Sequence, residues 1–156
     1  MKNFELPLPA HELIPHRKTM LLVDQLLAYD KALGSGRILV LARDETIFTD
    51  DGGVTANKFL EEVVLLEMMA QAYACLRGYE DRVAGCQPSI GFLVGIRRFT
   101  CQRRVETCEE FTVEVATAIQ VDDFYIADAT VQVGSERVAE AELKFWVPPV
   151  SGGSDN

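Results

Sequence analysis

The most hydrophobic stretch of the chain repeats with the period of an α-helix. Its apolar residues are Phe59, Leu60, Val63, Val64, Leu66, Met68, Met69, Ala70, Tyr73, Ala74 and Leu76. They cover nearly the whole circumference of a helix of roughly twenty residues, and a helix that is apolar on nearly all sides must be enclosed by other elements. The pattern predicts an N-cap at Asn57 or Thr55 and an end at Gly78.

Strand-like segments flank this helix on both sides. Two precede it, MLLVDQLLAYD and GRILVLARD, and four follow it, SIGFLVGIRRF, EEFTVEVATAIQ, FYIADATVQV and RVAEAELKFWV. In the last three, apolar residues alternate with polar ones, as at Phe111, Val113 and Val115, with one slip in the final segment. Alternation predicts an antiparallel sheet with one buried face.

Two strands, one helix and four strands predict an α+β fold. An antiparallel sheet wrapped around one long central helix buries that helix most simply. We expect a single domain over residues 1–148 and a flexible tail over 149–156, within the Gly- and Pro-rich PPVSGGSDN. Edge-to-edge pairing of two such units would remove an exposed sheet edge, so a homodimer or a higher even oligomer is expected.

Composition and charge exclude several classes of protein. Hydrophobic residues make up 48% and charged residues 25% of the 156-residue chain, which is an ordinary globular mixture. The N-terminus lacks the apolar run of a secretion signal, and the segment from Val63 to Leu76 is too short to span a bilayer. We therefore expect a cytoplasmic protein with no membrane span. The net charge of −9 argues against a general nucleic-acid binder.

Cysteine and arginine spacing adds two expectations. No CxxC pair is formed by the four cysteines, Cys75, Cys86, Cys101 and Cys108. With two histidines the chain also offers no zinc-ligand spacing, so buried reduced thiols and no metal site are expected.

Four arginines lie within eight positions: Arg97, Arg98, Arg103 and Arg104. Guanidinium groups pair well with phosphate or carboxylate oxygens, which favours one anionic partner, and the structural alternative is a solvated strand face.

One carboxylate, Glu67, interrupts the hydrophobic helix. A carboxylate in apolar surroundings needs hydrogen bonds or a countercharge, and no basic residue lies between Val63 and Tyr73. Gln71 is four residues further on and therefore shares the same helix face. The pair predicts a site in which Glu67 serves as general acid or base, unless the acid instead faces a subunit interface or pairs with a distant arginine.

Three motifs resemble those of the 3-hydroxyacyl-[acyl-carrier-protein] dehydratases. IPHRKTMLLVDQLL is similar to the family's PHR-x-x-x-LLVD segment, and LLEMMAQA to its helix motif of an acid followed by x-x-AQ. GIRRFTCQRRVETCEE is similar to the family's third motif, with Cys108 where glycine is usual. Together they cover Leu13 to about Val115. The resemblance implies the hot-dog fold, and it is closest to the predicted hydroxyacyl dehydratases of aryl-polyene-type clusters.

The resemblance also implies roles for particular residues. In the family a helix acid handles the leaving hydroxyl at C3, a histidine removes the C2 proton, and amides at the helix start hold the thioester carbonyl. Glu67 takes the place of the acid, with Gln71 as a supporting group. Arg97, Arg98, Arg103 and Arg104 become candidates for contacting phosphopantetheine or an acidic carrier protein. No cofactor is implied beyond the phosphopantetheine of the acyl carrier protein or CoA that carries the substrate.

The family's histidine is missing. Its loop corresponds to FTDDGGVTANKF, where Gly53 and Val54 are substrate-binding or supporting candidates and Asp50 or Asp51 a substitute base. His16, in the PHR segment, is also a substrate-binding or supporting candidate, and it is expected to pack or cap before it serves in catalysis. Three hypotheses remain: a dehydratase of fatty-acid or polyketide biosynthesis, a thioesterase using Glu67, and a non-catalytic subunit of a heterodimer with a histidine-bearing homologue.

Overall fold

One long helix and a large antiparallel sheet make up the fold. The computed structural model describes residues 3–42, the backbone of 49–50, and 59–149. In this part of the chain the elements are β1 (Leu8–Pro9), a 3-10 turn (Ala10–Glu12), β2 (Gln25–Asp30), β3 (Ser35–Leu41), β4 (Thr49–Asp50), β5 (Phe59–Leu60), α1 (Glu62–Ala84), β6 (Phe92–Cys101), β7 (Glu110–Val121), β8 (Phe124–Val133) and β9 (Glu136–Trp146).

The seven strands of the main sheet run in the order β1-β2-β3-β7-β8-β9-β6, and each neighbouring pair is antiparallel. Helix α1 packs mainly against β7, β3, β8 and β2. It therefore covers the middle of the sheet and leaves the strip that ends at β6 less covered. The predicted α+β architecture, a sheet around one central helix, is confirmed.

The alternation predicted for the last strands is also confirmed. Phe111, Val113 and Val115 of β7 are buried, as are the alternate residues of β8 from Tyr125 to Val131. In β9 the slip falls at Val138 and Ala139, which are both buried. The pairing of β8 with β9 shifts register at this point, between Val131 and Gln132. A bulge places two consecutive residues against one partner residue, which explains the break in period.

The predicted helix ends are wrong. The helix begins at Glu62 after an N-cap at Glu61, whereas Thr55 and Asn57 lie outside the described residues. At the other end it continues past Gly78 to Ala84 and stops at Gly85, which has φ 72°. Gly78 is instead a point of close approach, because a Cβ there would overlap the carbonyl oxygen of Leu13. A glycine can thus mark tight packing as well as a helix end.

The first predicted strand begins later than expected. MLLVDQLLAYD starts at Met20, but β2 starts at Gln25. The backbone at Met20 and Leu22 is hydrogen-bonded to the side chain of Gln71 in α1 rather than to a neighbouring strand. These backbone groups are therefore satisfied without joining the sheet.

The cysteines only partly match the prediction of buried thiols. Cys75 is buried, and burial raises its pKa to about 12. Cys101 is half-buried, while Cys86 and Cys108 are exposed. No helix in the described part of the chain combines the length and the hydropathy that a membrane span requires.

Candidate functional site

A cavity of about 290 Å³ lies beside the central helix. Its walls come from α1, from residues 13–16 and 88–93, and from the end of the sheet at Phe145 and Val147. The helix contributes Glu67, Ala70, Gln71, Tyr73, Ala74 and Arg77. Positions three and four apart lie on one helix face. The small side chains of Ala70 and Ala74 leave room for the cavity on this face. The cavity is therefore a largely apolar groove between the helix and the open end of the sheet.

Gln71 holds the carboxyl group of Glu67 on the cavity wall. The Nε2 of Gln71 donates to Oε1 of Glu67 at 3.0 Å and to the carbonyl oxygen of Met20 at 2.7 Å, while its Oε1 accepts from the Leu22 N–H at 2.9 Å. Gln71 is 1% exposed and Glu67 is half-buried. A buried amide with its hydrogen bonds made has a defined orientation. It therefore fixes the direction of the acid.

Two other polar side chains on the helix wall, Tyr73 and Arg77, have partners of their own, although the buried Nε of Arg77 has none in the described part of the chain. The hydroxyl of Tyr73 shares a hydrogen bond of 2.9 Å with Thr117, and burial raises its pKa to about 12. Arg77 pairs with Glu80 at 2.7 Å. Burial alone would lower the pKa of Arg77, but the charges of Glu80, Tyr73, Tyr125 and Asp81 together outweigh burial, so the pKa is raised. Both side chains stay protonated near neutral pH, so neither can serve as a base.

His16 lies in the same cavity as Glu67. Its backbone carbonyl accepts a hydrogen bond of 2.8 Å from Arg17, which holds the turn in place. The ring nitrogen Nδ1 is buried and has no hydrogen-bond partner in the described part of the chain. The PHR segment thus brings the imidazole of His16, a supporting candidate from the sequence, to the cavity wall.

Most of the loop that corresponds to the family's histidine segment lies outside the described residues. Gly53, Val54 and Asp51 lie outside the described residues, and of Asp50 the structure describes the backbone, which pairs with Phe59. Their proposed contacts with substrate stay predictions.

The predicted arginine patch divides into two parts. Arg103 is held by two carboxylates, Glu109 at 3.2 Å and Glu136 at 3.1 Å. The hydrogen bond to Glu109 is the main reason that the pKa of Arg103 is raised. Burial alone would raise the pKa of Glu109, but hydrogen bonds from Arg103 and the Glu106 N–H lower it. Arg104 pairs with Glu61 at 3.7 Å. This part has the character of a structural ion-pair network.

Arg97 and Arg98 form the exposed part of the patch. Their side chains are 72% and 73% exposed, and both pair with the single carboxylate of Glu142. Arg98 has φ 52°, within a bulge of β6 that falls between Arg97 and Thr100. Two guanidinium groups sharing one carboxylate leave positive charge at the surface, so these two arginines remain the better candidates for an anionic partner.

A second, larger hollow of about 570 Å³ lies over β2, β3, β7 and β8. It is lined by residues that include Arg37 and Glu114, which form an ion pair at 2.9 Å. Neither Glu67 nor His16 belongs to it. We take the smaller cavity as the candidate site because it holds the half-buried acid and its buried amide partner.

Sequence reasoning missed two parts of the site. The backbone at Met20 and Leu22 binds Gln71, and residues 88–93 close one side of the cavity. Leu22 and Gln71 are 49 residues apart in sequence. Hydrophobic periodicity reports which face of one element is buried, and it carries no information about which distant backbone group meets that face.

Residues 8–153 match the model of the ApeP-like family, described as ApeP dehydratase. Similar curated sequences are 3-hydroxyacyl-[acyl-carrier-protein] dehydratases named FabZ. The protein from Oenococcus oeni is 29% identical over 138 residues, covering 87% of this chain and 94% of the relative. The protein from Nitrosospira multiformis is 28% identical over 142 residues, covering 89% and 96%.

A solved structure supports the same fold. The dehydratase heterocomplex ApeI:P from Xenorhabdus doucetiae superposes with a TM-score of 0.80 at 20% identity, covering 92% of this chain and 93% of that chain. At this identity the likeness concerns the fold, and it confirms the hot-dog architecture.

Proposed function

Because the chain belongs to the ApeP-like dehydratase family, we propose that this hot-dog protein works in the dehydration of 3-hydroxyacyl thioesters. The substrate would be carried on the phosphopantetheine of an acyl carrier protein or of CoA. The observation that supports this most is the carboxyl group of Glu67, held by Gln71 on the wall of a largely apolar cavity. Such a cavity suits an acyl chain with the acid beside its functional end.

In the proposed reaction Glu67 protonates the hydroxyl that leaves from C3. The C2–H bond breaks, its electron pair forms the C2–C3 double bond, and the hydroxyl departs as water with the proton from Glu67. A base must accept the C2 proton. Tyr73 and Arg77 cannot do so, because both stay protonated near neutral pH. We propose that a histidine on a second, homologous subunit is this base.

The edge strand β6 is the surface that such a subunit would cover. Ile96 pairs with Leu143, whose side chain is fully buried on the helix side of the sheet, yet Ile96 itself is 43% exposed. Leu93, opposite buried Phe145, is 37% exposed. An apolar edge strand open on its inner face is a site for strand pairing. Phe92 and Leu93 also line the cavity, so the second subunit would complete its wall.

Replacing Ile96 with lysine is expected to prevent this association, because an ammonium group would be buried against an apolar partner. With the histidine-bearing subunit added, light scattering coupled to gel filtration should show a heterodimer for the wild-type chain and separate subunits for Ile96→Lys. Thr100→Lys is the matched control, since it adds the same charge to the same strand opposite Glu140. A dimer that survives Ile96→Lys would show that β6 is not the interface.

A carrier protein would approach Arg97 and Arg98. Both side chains are exposed, and their shared carboxylate leaves them able to bind a further anion. An acidic carrier surface or a phosphopantetheine phosphate fits this chemistry.

The cytoplasm stays the predicted location of the protein.

Purified protein incubated with a 3-hydroxyacyl thioester tests the proposal. The chain with a histidine-bearing homologous subunit is expected to produce the 2-enoyl thioester, measured by ultraviolet absorbance, whereas the chain alone should produce at least about a hundredfold less because general-base catalysis contributes this much. Full activity of the chain alone would refute the need for a second subunit. Release of free thiol without enoyl product would identify a thioesterase instead.

A further inference from the structure

The two ring nitrogens of His16 have different surroundings. Nδ1 is buried and has no hydrogen-bond partner in the described part of the chain. Nε2 is not such a buried, unpartnered atom. The residue is half-buried and lines the cavity of Glu67. The accessible part of the imidazole therefore carries Nε2 and lies where an acyl chain would bind.

The environment of Nδ1 determines where the neutral ring keeps its hydrogen. A hydrogen on Nδ1 would be a buried N–H with no acceptor, and orphaned buried N–H groups are rarer in proteins than under-satisfied acceptors. The hydrogen therefore belongs on Nε2, which makes this nitrogen a donor. A histidine that acts as base through Nε2 needs the opposite arrangement, with Nδ1–H donating to a carboxylate or carbonyl group.

Two other side chains on the cavity wall, Gln71 and Tyr73, are already engaged, whereas the buried Nε of Arg77 has no partner in the described part of the chain. The amide of Gln71 donates to Glu67 and Met20, and the hydroxyl of Tyr73 is bonded to Thr117. A substrate oxygen that reaches this part of the cavity thus meets the acid of Glu67 and the Nε2–H of His16.

We propose that His16 recognises the 3-hydroxyl group of the acyl chain by donating a hydrogen bond from Nε2 to its oxygen. This inference rests on the proposed function, in which Glu67 protonates the same oxygen. A second donor would stabilise the departing oxygen as charge develops on it. It would also favour hydroxylated chains over the saturated chains of equal length. His16 is then a specificity-determining residue and not the missing base.

Matched ligands test the contact directly. The probes are 3-hydroxyoctanoyl and octanoyl derivatives of pantetheine in which an amide replaces the thioester, so that no elimination occurs. Calorimetry with the full chain and its partner subunit should show that His16→Ala weakens binding of the hydroxylated probe about tenfold. The octanoyl probe should be affected less than about twofold, and His16→Gln, which places an amide N–H near the position of Nε2, should retain most of the affinity.

A second measurement reads the tautomer without any ligand. Nitrogen-15 NMR of the imidazoles is simple to assign, because His11 and His16 are the chain's two histidines and His11→Gln removes one signal. When the ring of His16 is neutral, we expect its hydrogen on Nε2. A hydrogen on Nδ1, or equal losses for both probes in His16→Ala, would overturn the assignment while leaving the proposed function intact. If neither probe binds the wild-type complex, the proposed function fails and this inference fails with it.

Discussion

Glu67→Gln is expected to lower kcat for dehydration by about 10²- to 10⁴-fold while leaving the fold intact. This is the range that a positioned general acid contributes. Glutamine keeps the size of the side chain, and its carbonyl oxygen can still accept the 3.0 Å hydrogen bond from Nε2 of Gln71. What it lacks is a proton that it can transfer to the leaving hydroxyl. Steady-state kinetics of the chain together with the proposed histidine-bearing subunit would measure the loss.

Glu62→Gln is the matched control for this experiment. Glu62 lies in the first turn of the same helix and its side chain is exposed. Glu62→Gln removes that charge and leaves the backbone amides of the turn in place, so kcat should stay within about twofold. Circular dichroism and thermal unfolding of both variants would confirm that the helix is retained. If Glu67→Gln turned over substrate as fast as the control, the acid would have to be placed elsewhere.

Gly78→Ala is expected to destabilise the protein by about 3 kcal/mol, the upper end of the cost of overpacking. In an ordinary helix interior the same change is stabilising by about 1 kcal/mol. Here the added Cβ would overlap the carbonyl oxygen of Leu13, which is backbone and cannot rotate away. The segment that carries Leu13 and His16 would have to move off the helix. Urea unfolding followed by circular dichroism measures the change.

Gly85→Ala provides the comparison. Gly85 ends the same helix with φ 72°, and nothing lies within 4 Å of the position that its Cβ would occupy. Alanine there should cost about 1 kcal/mol from the left-handed backbone alone. A Gly78→Ala variant that is more stable than wild type would mean that the N-terminal segment does not pack as closely against α1 as the structure indicates.

Local patterns were sufficient for the elements and their buried faces. Alternation along β7 and β8 identified the residues that meet the helix, because successive side chains in a strand point to opposite faces. The spacing of Glu67 and Gln71 placed them on one helix face, and their side chains are hydrogen-bonded. The motif resemblance led to the hot-dog fold, which the solved relative confirms.

Local patterns failed where two distant segments meet. A glycine such as Gly78 commonly marks the end of a helix, but here its close contact with the backbone of Leu13 requires a glycine inside the helix. Met20 and Leu22 belong to a segment with a strand-like pattern, but their backbone groups are hydrogen-bonded to the side chain of Gln71. Within the run of arginines, Arg97 and Arg98 are exposed and share one carboxylate at a bulge of β6, whereas Arg103 follows the end of that strand and is held by two carboxylates.

The amino-acid sequence by itself determined an α+β chain with one enclosed helix, an acid within its apolar surface and an amide one turn away. These properties depend on the side-chain periods of strands and helices, two and about 3.6 residues, and such a period can be recognised within one local segment. Only the tertiary structure decided that Gln71 orients Glu67 through the backbone at Met20 and Leu22, that His16 shares their cavity, and that β6 leaves its inner face open. Each depends on a contact between segments far apart in the chain, and such contacts are set by how the whole sheet wraps around the helix.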